Sequence, residues 1–212
     1  MNPAAKSVVI VALAMGIVCP VTAQTSKFDG WSAHAAVGYQ SIKPQLDNVV
    51  SGGDAMAVAV TTASSLVGTI GLEYTWALDA RYVLAAGLDY GLNYGKNSEL
   101  GVLGAVQDRV KVKQGVGFSV APGMLVDKNT LAYLKFGYQG NTAKFESDGT
   151  TESGNAYIYG LGAKFLQKND YFVFTELNYL AGKKKNLTEM SDTTGDIKAT
   201  GYFLAAGVGK RF

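Results

Sequence analysis

Eight stretches of this chain alternate residue by residue between large apolar side chains and small or polar ones. A helix repeats every 3.6 residues and cannot carry that period; a strand must. In "WSAHAAVGYQ" one side collects Trp31, Ala33, Ala35, Val37 and Tyr39, and the other Ser32, His34, Ala36, Gly38 and Gln40. "LVGTIGLEYTW" sets Leu66, Ile70, Leu72, Tyr74 and Trp76 against Thr69, Gly71, Glu73 and Thr75. "YVLAAGLDYGLNY" sets Tyr82 through Tyr94 at every second position against Ala85, Gly87, Asp89, Gly91 and Asn93. "VKVKQGVGFSV" reads as Val110, Val112, Val116, Phe118 and Val120 against Lys111, Lys113, Gly115, Gly117 and Ser119. "LAYLKFGYQGN", "YIYGLGAKF" and "YFVFTELNY" divide the same way, placing Lys135, Lys164 and Glu176 on the glycine-bearing side. The last, "YFLAAGVGKRF", has Tyr202, Leu204, Ala206, Val208 and Phe212 on one side, broken only by Lys210, and Phe203, Ala205, Gly207, Gly209 and Arg211 on the other.

Connections between these segments alternate in length. "ALDAR", "VDKNT" and "QKND" are tight polar turns, whereas residues 41–65, 95–108, 146–153 and 183–196 make longer links. Short turns at one end and long loops at the other describe an up-and-down meander. One stretch fits less well. Residues 55–72 run uncharged for 18 positions, but five are Ser or Thr and alternation begins at Leu66, so the first half reads as loop or strand extension.

The faces decide the solvent. In a soluble sandwich or barrel the apolar face is the core and the other face is richly charged. Here only 17% of residues are charged, 26 are Gly, and the non-apolar face is mostly Gly and Ala with isolated charges. The apolar face carries its aromatics at strand ends, where amphipathic rings meet a membrane boundary. The pattern predicts an all-β, eight-stranded antiparallel up-and-down transmembrane β-barrel with an apolar exterior and polar lumen. Trp31, Trp76, Tyr82, Phe165, Tyr171 and Phe212 lie near short turns or chain ends and form the expected periplasmic girdle. Tyr39, Tyr94, Tyr138, Tyr157, Tyr179 and Tyr202 lie near long loops and form the outer one.

An eight-stranded barrel is just wide enough for side chains to fill it, so charges inside must pair. The expected interior network joins Glu73, Asp89 and Glu176 to Lys111, Lys135, Lys164 and Arg211. The rival reading is a wetter lumen with mobile charges, hence a narrow channel. His34 is the one histidine; it falls inward and near the periplasmic end, far from the outer rim where a nucleophile, base and carboxylate would assemble. No catalytic, cofactor or metal site is expected. "GLGAK" and "GVGK" lie inside alternating segments, not before helices, and do not read as phosphate loops. A net charge of +2, evenly spread, argues against nucleic acid.

The N-terminus reads as a cleaved signal peptide over residues 1–23. Lys6 precedes "SVVIVALAMGIV", and "VTA" puts small residues before Gln24. The apolar run is short for an anchor, and Val18 rather than a small residue precedes Cys19, against lipidation. Cleavage removes Cys19, the single cysteine, and leaves residues 24–212 without a thiol.

On "FDGWSAHAAVGY" (Phe28 to Tyr39), the repeated strand pattern and the final strand ending in Phe212, the chain resembles the small outer-membrane β-barrels of OmpA/OmpX type. The resemblance implies a non-enzymatic Gram-negative outer-membrane protein that displays loops for adhesion or envelope integrity, with a small porin-like channel as the alternative. It further implies partners: outer-membrane lipid and lipopolysaccharide, the barrel-assembly machinery reading the C-terminal strand, and a host or surface ligand at the loops. The "KKK" run at 183–185 is expected at the outer rim, facing lipopolysaccharide phosphates or simply water. Larger relatives carry a periplasmic peptidoglycan-binding domain, which is not expected here.

Overall fold

The computed structural model describes residues 26–51, 54–55, 58–92, 94–102, 105–145, 149, 151–186 and 193–212. The signal peptide and Cys19 lie outside that set, as does the side chain of Tyr94.

Eight long strands form the wall: β1 Gly30–Ser51, β2 Ala63–Ala77, β3 Tyr82–Gly91, β4 Ala105–Leu125, β5 Thr130–Phe145, β6 Thr151–Leu166, β7 Tyr171–Gly182 and β8 Thr193–Arg211. Each pairs antiparallel with the next, and β8 returns to β1 in a register running from Ser32↔Arg211 to Ser51↔Thr193. That seam closes the barrel, so every wall strand has a neighbour on both sides, as hydrocarbon requires of backbone polar groups. Phe212 continues the seam, its N–H donating to the Trp31 carbonyl at 2.9 Å.

Alternation becomes burial. Along β7 the pattern from Tyr171 to Leu180 is exposed and buried by turns, with Phe172, Phe174, Glu176, Asn178 and Leu180 inside. Outside, large apolar side chains stand bare: Leu66 is 67% exposed, Trp31 58% and Phe212 76%. In water such a surface would drive association; in lipid it is the solvated face.

The short turns share one construction. In "LDARY" the Leu78 N–H donates to the Tyr82 carbonyl at 2.9 Å, and in "VDKNT" the Val126 N–H donates to the Thr130 carbonyl at 2.9 Å. Asp79 accepts from the backbone N–H groups of Arg81 (2.6 Å) and Tyr82 (2.8 Å), and Asp127 from that of Asn129 (2.7 Å). Those amide donors, Arg81 first for Asp79 and Asn129 first for Asp127, hold both carboxyls below the usual carboxylate range. Because the folded value is depressed, the stabilisation is present above the ordinary Asp pKa and disappears as pH falls through the lowered one. Asp79→Ala is therefore expected to be less stable than wild type at pH 7, with the gap narrowing toward acid; urea midpoints measured across a pH series check this. In the third turn Asn169 and Asp170 both adopt φ of 60°, a conformation that short polar side chains tolerate.

Two expectations are corrected. Much of the chain read as long loop is strand: β1 continues ten residues past Ser41, and Asp54–Ala55, Val58–Val60, Tyr94–Val102 and Lys185–Asn186 add pairing beyond the girdle. Lys111 does not enter the lumen. Between Gln114↔Asn141 and Gly117↔Gln139 the β4–β5 register shifts, so two residues of β4 oppose Gly140 alone. This bulge reverses which parity faces in. Below it Gly117, Ser119 and Ala121 point inward; above it Val112 and Gln114 do, leaving Lys111 and Lys113 outside.

Candidate functional site

The lumen is filled in layers. At the turn end, Phe28 packs with Val83, Ala85, Ala121, Leu131 and Tyr133. At mid-height Phe172, Phe174 and Phe203 pack with Ala36, Val67 and Ala205. Toward the hairpin end Ile42, Val112, Ile158 and Leu180 form a third group. The aromatic layer fits because its neighbours are small. A Cβ at Gly207 would stand 2.5 Å from the Phe174 ring, and the Phe172 ring lies across Gly209.

Beside the phenylalanines, β2, β3, β5, β6 and β7 supply charge. Lys135 Nζ lies 3.0 Å from Asp89 Oδ2 and 3.2 Å from Glu176 Oε2. Glu176 also accepts from the Tyr133 hydroxyl at 2.7 Å and from Asn178 Nδ2 at 3.0 Å. His34 Nε2 lies 2.9 Å from Asp89 Oδ1, its ring edge-on to Phe174 at 5.3 Å. Gly71 leaves room for that pair, since a Cβ there would sit 2.5 Å from both Asp89 Oδ1 and His34 Nε2. Closer to the turn end Lys164 pairs with Glu73, whose Oε1 also accepts from Thr75 at 3.2 Å, and Lys164 Nζ lies 5.2 Å over the Tyr133 ring. Above, Gln114 Nε2 donates to Gln40 at 2.7 Å. Buried charges are sustained by this kind of paired, hydrogen-bonded arrangement.

The described lumen leaves little space. The cavity beside His34, Asp89, Lys135 and Glu176 measures about 30 Å³, and one beside Phe28, Glu73 and Lys164 about 10 Å³. Such volumes accommodate single waters. Of the residues expected in the network, Glu73, Asp89, Lys135, Lys164 and Glu176 are brought together, and Lys111 and Arg211 are not.

Arg211 instead belongs to a floor that the sequence reading missed. The segment 26–29 crosses beneath the barrel, bonding to the first two turns directly and to the third through Arg211. Ala77 N–H donates to Asp29 Oδ1 at 3.1 Å, and Lys27 Nζ to Asn129 Oδ1 at 3.1 Å. Arg211 donates to the carbonyls of Lys27 and Asp29, and reaches Asp170 Oδ1 at 2.6 Å. Phe28, 6% exposed, is the side chain this segment inserts. A signal existed: Phe28 stands just ahead of the first alternating run, where nothing else explains a large aromatic.

The girdle residues all face outward where described. Trp31, Trp76, Tyr82, Phe165, Tyr171 and Phe212 stand at the turn end, and Tyr39, Tyr138, Tyr157, Tyr179 and Tyr202 at the hairpin end. Trp31, Tyr74 and Trp76 form a contiguous aromatic cluster, with centroids 5.1 and 4.8 Å apart.

The family profile of the outer membrane protein beta-barrel domain matches residues 10–212. The chain belongs to that family. Three solved outer-membrane barrels resemble it in fold. OprG from Pseudomonas aeruginosa is 11% identical with a TM-score of 0.54, over 89% of this chain and 99% of its own. Neisserial surface protein A is 14% identical with a TM-score of 0.52, over 87% and 98%. Ail, the attachment invasion locus protein of Yersinia pestis, is 17% identical with a TM-score of 0.46, over 85% and 99%. Among curated proteins, no sequence matches the chain. At these identities the likeness is one of architecture, and architecture alone does not fix a role.

Proposed function

We propose that the protein is a non-conducting, non-enzymatic surface barrel of the outer membrane that presents its outer hairpins for adhesion or envelope integrity. The filled lumen carries this reading: three apolar layers, a paired charge network and a floor leave a cavity of only about 30 Å³ beside the network. A passive channel would need a continuous wet path. The hairpins add support, because β1 stays paired with β8 from the Tyr39 girdle position to Ser51, a ribbon of about 40 Å along the strand. Paired ribbons present fixed surfaces to a partner at low ordering cost.

Planar-bilayer recording of the purified barrel is the test. No conductance steps are expected; discrete, reproducible steps would favour the channel alternative. A deletion strain is expected to lose surface binding or envelope integrity without a change in small-solute permeability. Catalysis has weak support, because His34 is committed to Asp89 deep in the wall. His34→Ala is accordingly expected to alter stability only. Export through a cleaved signal peptide belongs to the same proposal, and intact mass should place the mature N-terminus at Gln24. Phe212→Ala is expected to lower the amount of assembled barrel if the terminal aromatic is what the assembly machinery reads.

A further inference from the structure

The interior charges do not balance. Between the floor and the Gln40–Gln114 pair every inward side chain is described, and the charged ones, His34 apart, are Glu73, Asp89 and Glu176 against Lys135 and Lys164. Arg211 lies at the floor and is matched there by Asp170. Lys164 answers Glu73. That leaves Lys135 between Asp89, 3.0 Å away, and Glu176, 3.2 Å away, so with His34 neutral this level of the lumen keeps one negative charge over. An uncompensated charge in so tight an interior is among the costliest groups a fold can hold.

A second deficit lies in the same place. Asn178, 4% exposed, donates its Nδ2 to Glu176 at 3.0 Å, but its Oδ1 is buried with no hydrogen-bond partner among the described residues. Gly160 faces it across the β6–β7 register, where any Cβ would collide with that oxygen. Buried amide oxygens are almost always partnered, so this one calls for an occupant. Both deficits border the cavity of about 30 Å³, whose lining includes Asp89, Glu176, Asn178, Lys135 and His34. Such a volume admits one small particle. A water there supplies a donor to Asn178 Oδ1 and leaves the charge; a proton on His34 supplies the charge and leaves Asn178 Oδ1. A metal cation supplies both.

We propose that this cavity binds one alkali-metal cation of sodium's size, held by oxygens of Asp89, Glu176 and Asn178. With it, two carboxylates face two positive charges. Carboxylate and amide oxygens are the donors that hard cations take. Among the described residues no three His, Cys, Asp or Glu side chains converge, so the donor set lacks what a transition metal draws on. The site rests on the filled lumen and is independent of what the hairpins bind.

The test compares urea midpoints of the mature barrel, in one lipid system, in sodium chloride and in choline chloride of equal ionic strength. Choline carries the same charge but is too large for the cavity. Sodium is expected to raise the folding equilibrium constant about tenfold over choline, the effect of a site exposed to about ten times its dissociation constant. The advantage should be lost in Glu176→Gln, which removes the surplus charge, and reduced in Asn178→Leu, which removes the orphan oxygen; His34→Gln should keep it. Heat-modifiable gel mobility confirms that each variant folds. Because each is compared with itself in two salts, a general loss of stability does not mimic loss of the site. Equal wild-type midpoints in the two salts would overturn the proposal, as would a sodium advantage that survives in Glu176→Gln. So would a wild-type midpoint that ignores the cation and falls as pH rises between about 5 and 8, with His34→Gln exempt, which would put a proton on His34 in the ion's place. Planar-bilayer conductance bears on the filled lumen itself, so failure of that reading and failure of this one are told apart.

Discussion

Lys135→Met is expected to lower the unfolding free energy of the barrel by about 3–5 kcal/mol, the range seen when one partner of a buried ion pair is removed. Lys135 is 9% exposed and is the cation that faces both Asp89 and Glu176. Methionine fills similar volume, so the cost is electrostatic: two carboxylates remain in a tight interior with His34, Tyr133 and Asn178 as their hydrogen-bonding neighbours among the described residues. Adding Glu176→Gln to Lys135→Met removes one stranded charge and should recover part of the loss. An exposed contact makes the control. Lys27→Ala deletes a hydrogen bond to Asn129 at the solvent-facing floor and should shift stability by no more than about 0.5 kcal/mol. Urea unfolding of the four proteins in one lipid system checks the order. A Lys135→Met barrel as stable as wild type would mean that water, not the ammonium, balances the two carboxylates.

Which parts of this arrangement could be read from residues alone follows from how local the controlling physics is. Side-chain alternation is local, so "YFVFTELNY" identified both faces of β7, and with them Glu176 as an interior charge. Turn chemistry is local too, and Asp79 and Asp127 sit where the short connections were expected. The bulge in β4 depends on what lies across from it. Gly115 is the clue, because a Cβ there would stand 2.7 Å from the Gly140 carbonyl, but alternation alone carries the parity straight through "QGVG" and places Lys111 on the wrong face. A glycine inside a strand is a warning of such a slip. The outer hairpins look like loops in the sequence because polar segments pair above a membrane as readily as they coil, and the pairing is set by register inherited from the wall. Arg211 lies opposite buried Ser32, on the inward parity, yet its height in the barrel determines its partner, and at the last turn that partner is Asp170.

Phe28→Ala is the second large effect, expected to lose about 3–5 kcal/mol through lost burial and the void left behind. Phe28 meets Val83, Ala85, Ala121, Leu131 and Tyr133, and Leu125 and Leu166 pack against that group. Its backbone is pinned independently: the Ser26 hydroxyl accepts its N–H at 3.2 Å and Arg211 holds both flanking carbonyls. The segment should therefore stay docked while its side chain is missing, which leaves a hole at the floor rather than an unfolded end. That geometry separates two accounts of the lumen. If the barrel is non-conducting because it is filled along its length, Glu73, Lys164 and Tyr133 still stand above the hole, and the phenylalanines beyond them still pack. Phe28→Ala should then be destabilised yet silent in planar bilayers. If instead the interior charges line a wet path that only the floor blocks, the same substitution should open it. Conductance from Phe28→Ala with wild type silent would therefore make the segment 26–29 a plug, and the charge network above it the wall of a pore.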